Sequence, residues 1–489
     1  MIVTNPQRRL HASRFCAQLA ASLMTAGLML AAGVAHAAAS DSPATLRVDY
    51  IHSGTAKTEN YAIDRVVVEP LPWPGDPARA LDNTNLGNNK VEVVDVKSGE
   101  LLYSRGFSTI FGEWSSTEEA EHVTRAFQES VRFPKPQHPV HVRIFKRDAG
   151  NAFVPVWTVD VDPDAQDVIR KQGPAPAKPI PIRVSGPSSE KVDLLILGDG
   201  YTSAEMPKFL AQVLRMSDHL FQVSPFRERA KDFNVWAMAV PTQESGVSRP
   251  STGKYHASKL GTRYDIFGSE RYVLALDNRA LREIAQYAPY EFIEILVNNE
   301  TYGGGGIFGQ FSTAAAGSDW ANYLFVHEFG HHFAGLADEY YTSDVAYQPT
   351  GERIEPWEPN VTALKDPANL KWKSRVQPGT ALPTPWPKAV FEEEARDFQS
   401  HRKALRAANR PESEMNALFR QEFKRENALF SPDPNFHAVG AFEGANYEAT
   451  GYYRPEMQCI MFNRGEQFCS VCRDAISNII DLYSKPAAQ

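Results

Sequence analysis

The sequence predicts a multidomain α+β protein: an N-terminal β-sandwich, then an α/β domain that carries a helical insertion. Three observations predict it. Residues 45–162 hold short β-branched and apolar runs separated by turn residues. Residues 171–187 carry prolines at 174, 176, 179, 181 and 187, which excludes a helix or a central strand there. From residue 192 onward, apolar strand-like runs alternate with helical stretches, as in α/β domains. A chain of 489 residues has room for two or three cores.

Residues 1–37 read as a secretory signal. Arg8, Arg9 and Arg14 precede an apolar run over residues 19–34, and Ala35-His36-Ala37 offers small residues where a signal peptidase cuts. That run is short for a membrane span, and no later segment is long and apolar enough to be one. Arg8-Arg9 hints at a twin-arginine signal, although the flanking residues match poorly. Cys16 precedes the apolar run, so it is not a lipidation site. A secreted or periplasmic protein without stable membrane insertion is expected. Cleavage removes three arginines and no acid, which takes the formal charge from −8 to −11. Such a balance argues against nucleic acid or an anionic membrane as partner.

Residues 41–170 form the expected β-sandwich. Strands are predicted at 46–51 and 62–68, at 91–96 and 101–105 around a turn at 97–100, and at 140–145 and 153–161 around a turn at 148–151. Only residues 117–127 look helical, and no catalytic constellation is present. The proline-rich stretch 171–187 reads as a stiff linker or an extended crossing segment, and the domain boundary is placed there.

Residues 188–485 form the second domain. A buried strand at 192–197 runs into Gly198-Asp199-Gly200. A helix at 204–223, strands at 233–240, 272–276 and 292–297, and a helix at 279–287 follow. Residues 387–430 are charged and helical, with Glu392-Glu393-Glu394, and read as a solvated surface hairpin inserted into this domain.

Three cysteines remain after signal cleavage: Cys459, Cys469 and Cys472. In an oxidising compartment one disulfide is expected, Cys459 with Cys469 or Cys472, leaving one thiol. The spacing of Cys469 and Cys472 also fits half of a structural zinc site, but the sequence shows no matching second pair.

His327-Glu328-Phe329-Gly330-His331 is the most informative stretch. Histidines four apart leave one face of a helix, which suits two ligands of a tetrahedral zinc ion, and the glutamate between them can work on water at the metal. The bare pattern arises by chance in long chains, where it is two helix-face histidines. Here it comes with helix signals. Ser318 is placed to cap the helix, with Asp319 in its first turn. Trp320, Leu324, His327 and His331 share one stripe, and Gly335 can end the helix in the left-handed conformation. The chain then turns back to Asp338-Glu339. Asp338 is the first choice for third ligand and Glu339 the second; Glu352 and Glu355, followed by Pro356, are further alternatives. His332 lies about 100° round the helix, where a hydrogen bond within the core is expected. Three protein ligands leave a fourth position for water, and Glu328 would move its proton to the leaving amine. This is metal-assisted hydrolysis of an amide, with a protein or peptide as substrate.

The same residues resemble the zinc site of the IgA peptidase family, metallopeptidase family 64, a metzincin-like group of secreted bacterial endopeptidases. Further matches are Leu195-Ile196-Leu197-Gly198-Asp199-Gly200-Tyr201-Thr202, Val297-Asn298-Asn299 with Tyr302-Gly303-Gly304, and Gly440-Ala441-Phe442-Glu443-Gly444-Ala445. Tyr453-Arg454-Pro455, Cys459-Ile460-Met461 and Phe468-Cys469-Ser470-Val471-Cys472-Arg473 complete them. The resemblance covers most of the chain after Gly186 and implies a metzincin-like zinc peptidase domain, often preceded by a β domain. It implies that Met461 is the methionine of the turn beneath the zinc. Residues 298–306 would be the edge strand above the cleft, to which an extended substrate can add. Tyr453, or Tyr452, would stabilise the oxyanion. The spacing departs from the common metzincin pattern, with three residues rather than two before the glycine and an acid in place of a third histidine. A secreted binding or adhesion module on this fold, and a zinc amidase acting on cell-wall peptides, are the competing readings. The intact Glu328 speaks against the first.

Overall fold

The computed structural model describes residues 42–343 and 353–484. Residues 1–37, expected to be a signal, and Glu352 lie outside the described residues. The chain begins with β1 (Ala44–Gly54), β2 (Glu59–Pro72), β3 (Asn89–Asp95), β4 (Leu101–Phe107), α1 (Ile110–Trp114), β5 (Arg125–Pro134), β6 (Val140–Arg147) and β7 (Phe153–Val161). These strands make two antiparallel sheets, ordered β2-β1-β5 and β4-β3-β6-β7. Alternate residues of each strand face one shared core: Leu46, Val48 and Tyr50 from β1 meet Val91 and Val93 from β3 and Val140, Val142 and Ile144 from β6. Each such fully buried side chain stabilises by roughly 1.5–3 kcal/mol. The turn between β3 and β4 closes because the Asp95 carboxylate accepts the N–H groups of Lys97 and Ser98 at 2.9 and 2.7 Å.

The helix expected at 117–127 is not there. A single 3-10 turn spans Glu118–Glu121, and Arg125 already begins β5. Ten consecutive residues of β5 pair with β1, and that ladder outweighs the weak helical preference of an isolated short segment.

The second part comprises β8 (Ile180–Arg183), β9 (Val192–Asp199), α2 (Met206–Leu220), β10 (Phe233–Ala239), β11 (Thr262–Arg263), β12 (Leu274–Ala275), α3 (Asn278–Ala285), β13 (Phe292–Val297), β14 (Gly304–Ile307), β15 (Phe311–Ala315) and α4 (Ala321–Ala334). It continues with α5 (Lys388–Ala407), α6 (Glu412–Phe430), β16 (Phe442–Ala445), β17 (Glu448–Arg454) and α7 (Ser470–Tyr483). Its main sheet has the order β14-β15-β13-β9-β10-β8. The four inner strands are parallel, and the two edges, β14 and β8, run antiparallel to their neighbours. The proline-rich segment contributes β8, and Pro181 sits where a strand can lack an N–H, at the sheet edge.

Every residue of β9 is buried because both faces are covered. Leu194 and Ile196 point into the core shared with α2, α4 and α7. Leu195 and Leu197 point the other way, against α3 and against Ile110 from α1. The N-terminal sheets are therefore packed onto this domain. Arg132 donates to the Tyr290 carbonyl at 3.1 Å with its guanidinium 3.7 Å from the Tyr290 ring, and Asn278 donates to the Ser130 hydroxyl at 2.7 Å.

Helices α5 and α6 form the expected hairpin, but it is not merely a solvated one. Phe391, Phe398, Met415, Phe419 and Phe430 are buried in the main core, and Arg402 and Glu426 are buried with them while most of the other charged residues face solvent. The expected disulfide is also absent: Cys459, Cys469 and Cys472 are all free and buried. Among the described residues no helix is long and apolar enough to cross a membrane.

Candidate active site

Helix α4 carries His327, Glu328 and His331 against the underside of β14 and β15. It starts at Ala321, later than expected, so Ser318 and Asp319 do not occupy its cap and first turn. Ser318 instead closes the preceding turn: its hydroxyl accepts from the Trp320 N–H and its carbonyl from the Ala321 N–H. Gly335 ends the helix at φ 60°, with its N–H directed at the carbonyls of Gly330 and His331. The reversal brings Asp338 back over the two histidines.

The His327 Nε2 and His331 Nε2 atoms lie 3.2 Å apart, and Asp338 Oδ1 stands 3.2 and 3.3 Å from them. Ligands at ~2.05 Å from a tetrahedral zinc ion are ~3.3 Å apart, so this triangle has the size the ion requires. The tautomers also fit. His327 Nδ1 donates to the Ile460 carbonyl at 2.9 Å and His331 Nδ1 to the Leu336 carbonyl at 2.6 Å. Both Nε2 lone pairs are thereby left facing a carboxylate oxygen that has no hydrogen-bond donor. Three acceptors in contact demand a shared positive charge, either a metal ion or a proton. Glu328 sits beside them, with one carboxylate oxygen within 4.8 Å of both imidazoles.

The alternatives for the third ligand are held elsewhere. Glu339 Oε1 accepts from the Asn360 amide at 2.9 Å, on the far side of the loop. Glu355 accepts from the Ala363 N–H at 2.9 Å and pairs with Lys371 at 3.2 Å. His332 is a core residue: its Nδ1 donates to the Ile307 carbonyl and its Nε2 accepts from the Ile293 N–H, both at 3.1 Å, which ties α4 to β13 and β14. Burial pushes its pKa down to about 3. Met461 is fully buried beneath α4, where a Cβ on Gly330 would come within 3.2 Å of its sulfur.

Tyr453 is not at the cleft, nor is Tyr452. Tyr453 pairs through its backbone with Thr362, and its ring lies beside Glu443; the Tyr452 hydroxyl donates to the Ile354 carbonyl. Among the tyrosines that do reach the triad is Tyr447, whose hydroxyl donates to Asp338 Oδ2 at 2.5 Å. It occupies, with Asn446, the two-residue turn between β16 and β17, at φ values of 66° and 53°. A tyrosine in the left-handed region is strained, and the Asp338 contact accounts for the strain. An asparagine between two short strands is the signal that could have located this turn. Arg271, half-buried and donating to the Tyr340 hydroxyl at 3.1 Å, also lines the cleft and had no signal in sequence.

The cleft above the triad has a volume of about 360 Å³. Strand β14 forms one wall, and Ser108, Glu113 and Ser116 from the N-terminal part form another. Because the Ala315 N–H binds the Gly303 carbonyl, the alternating register turns the polar groups of Gly304 and Gly306 away from β15. Those of Gly304 are taken by Arg271 and Val273, so only the Gly306 end of this edge faces the cleft for a substrate strand.

Electrostatics follow from burial and the shared charge. Burial raises the Glu328 pKa, against the pull of both histidines. Burial would also raise Asp338, but His331 and His327 hold it well below the usual carboxylate range. Burial would lower His331, yet the Asp338 carboxylate outweighs it and lifts the imidazole to about 9. In the metal-free chain this pairing stabilises the fold fully below the unfolded histidine pKa of ~6.5 and is lost as pH rises through about 9. A metal ion must displace that proton. Apparent zinc affinity of the metal-free protein is therefore expected to rise about tenfold per pH unit up to pH about 9. Competition with a chelator of known affinity across this range checks it, and a flat profile would rule out the protonated His331.

The model of the family described as IgA Peptidase M64 matches residues 180–480 of this chain. A second, described as Peptidase M64 N-terminus, matches residues 39–158. Comparison with curated proteins gave no match.

Proposed function

This chain belongs to the IgA peptidase M64 family, and from that premise we propose that it is a secreted, metzincin-like zinc endopeptidase. One observation carries the reading: two Nε2 atoms and one carboxylate oxygen form a triangle of zinc-ligand size beside Glu328, at the floor of a cleft edged by a strand. His327, His331 and Asp338 hold the metal. Zinc, when bound, supplies a Lewis acid that polarises the scissile carbonyl and acidifies water. Glu328 takes a proton from the attacking water and passes it to the amine nitrogen as the carbon–nitrogen bond breaks. Its raised pKa keeps a carboxylate basic enough to accept that proton and acidic enough to return it. The Ile460 and Leu336 carbonyls fix the two imidazoles, and Tyr447 fixes Asp338.

The division into a β domain at 41–170, a crossing segment at 171–187 and a peptidase domain at 188–485 belongs to the same proposal. The β domain then serves as a wall of the substrate cleft. An extended peptide chain suits the site because the Gly306 backbone groups face the cleft beside Glu328. Met461 serves as a support beneath the metal, and secretion rests on the pattern of residues 1–37.

Cleavage of unfolded casein by the mature chain is expected to stop on treatment with 1,10-phenanthroline and to return on adding zinc. Hydrolysis that survives complete removal of metal would overturn the proposal.

A further inference from the structure

We propose that Cys459, Cys469, Cys472 and Glu339 form a second, structural zinc site directly beneath the catalytic helix. Their ligand atoms all lie within 4.8 Å of one another, and all four residues are buried. The Cys459 and Cys472 sulfurs are 3.7 Å apart, and Glu339 Oε1 is 3.3 Å from the Cys472 sulfur and 3.8 Å from that of Cys469. A tetrahedral zinc ion with sulfurs at ~2.3 Å and an oxygen at ~2.0 Å spaces its ligands ~3.5–3.8 Å apart. Three thiolates and a carboxylate form a soft donor set that selects zinc over calcium or magnesium.

Two features independent of this spacing point to an ion. Glu339 is fully buried, yet its Oε2 has no hydrogen-bond partner, an arrangement that is costly unless a cation meets it. Two of the sulfurs also accept backbone N–H groups, which suits them to carry the charge of a metal-bound thiolate. Cys459 Sγ accepts from the Cys469 N–H at 3.2 Å, and Cys469 Sγ accepts from the Cys472 N–H at 3.4 Å where Cys469 caps α7. The fully buried Arg454, with two guanidinium nitrogens unpartnered, offsets the negative charge left over. Cys469 and Cys472 are half of the site in sequence. The other half escapes a spacing search because it comes from 10 residues upstream of Cys469 and from a glutamate 130 residues upstream.

The location gives the site a purpose. Cys459 precedes Ile460, whose carbonyl orients His327, and the Glu339 N–H donates to the Met461 carbonyl at 2.8 Å. Glu339 also directly follows Asp338. An ion here clips together the two segments that orient one catalytic ligand and carry another. Binding displaces the thiol protons and keeps the sulfurs from oxidising to a disulfide in the secreted protein.

Metal content and thiol state of the full mature chain test this without reference to activity. Two zinc ions are expected per parent chain and one in the His327→Ala/His331→Ala variant. Cobalt loading of that variant should give a thiolate-to-metal charge-transfer band, and denaturation in chelator should release three alkylatable thiols. If the variant does not fold, the parent loaded with cobalt gives the same reading, because a site of histidines and aspartate has no such band. A cobalt-loaded parent without the thiolate band, a folded variant with no zinc, or a mass short of two hydrogens that marks a disulfide would each overturn the proposal.

Discussion

Glu328→Gln is expected to lower turnover of casein by about 10²–10⁴-fold while the variant still binds zinc and melts where the parent does. The substitution keeps the shape of the side chain and removes only its ability to take and return a proton. Glu328 leaves the helix beside the imidazoles without being one of the triangle of ligand atoms, so the metal contacts survive. Loss of charge does not threaten the fold, because burial already works against the ionised carboxylate. The informative comparison is Glu294→Gln. That carboxyl is equally buried and interacts with Glu328, but it is bound by the Ser312 hydroxyl on the sheet side and does not line the cleft. Substantial activity should remain in this second variant. If Glu328→Gln kept a tenth or more of the parental rate, proton transfer would have to run through another group, and the assignment of Glu328 would fail.

What the sequence made legible was what depends on local periodicity. The helical repeat puts His327 and His331 on one face, and a glycine after the last turn suits Gly335 at φ 60°. Alternation of buried and exposed positions marked the N-terminal strands, and the continuous apolar run at 192–197 marked a strand covered on both faces. What stayed hidden depends on contacts between distant segments. The start of β5 is decided by its ladder with β1, not by the composition of residues 117–127. Tyr453 or Tyr452 was the expectation from the sequence, and only the turn at Asn446-Tyr447 aims Tyr447 at Asp338 instead. The cysteines suggested a disulfide because Glu339, the fourth member of their cluster, is a glutamate far away in the chain and adjacent to another candidate ligand.

The glycines at residues 303–306 show the same limit, and they carry the second large effect. In sequence they are part of the expected edge strand at 298–306; in the fold they are also a steric requirement. Gly306→Ala is expected to cut activity by about 10²-fold and to destabilise the protein by about 1–3 kcal/mol. A Cβ at Gly306 would lie 2.4 Å from the Glu328 carbonyl oxygen and 2.9 Å from the His331 Cβ. Neither neighbour can swing aside, since one is helix backbone and the other is fixed to it. The strand must instead lift off α4 by about an ångström, and a displacement of that size between substrate and catalytic group is costly. It would also stretch the His332 bridge from α4 to the Ile307 carbonyl, so the melting temperature should fall together with the rate. Gly173→Ala is the control, because a Cβ there meets nothing within 4 Å, and both properties should be unchanged. Zinc content separates the causes: retained metal with lost activity locates the damage in the cleft, as expected. A Gly306→Ala protein with parental melting temperature and rate would mean that strand and helix separate at no cost, and the close approach of β14 to Glu328 would then not shape the site.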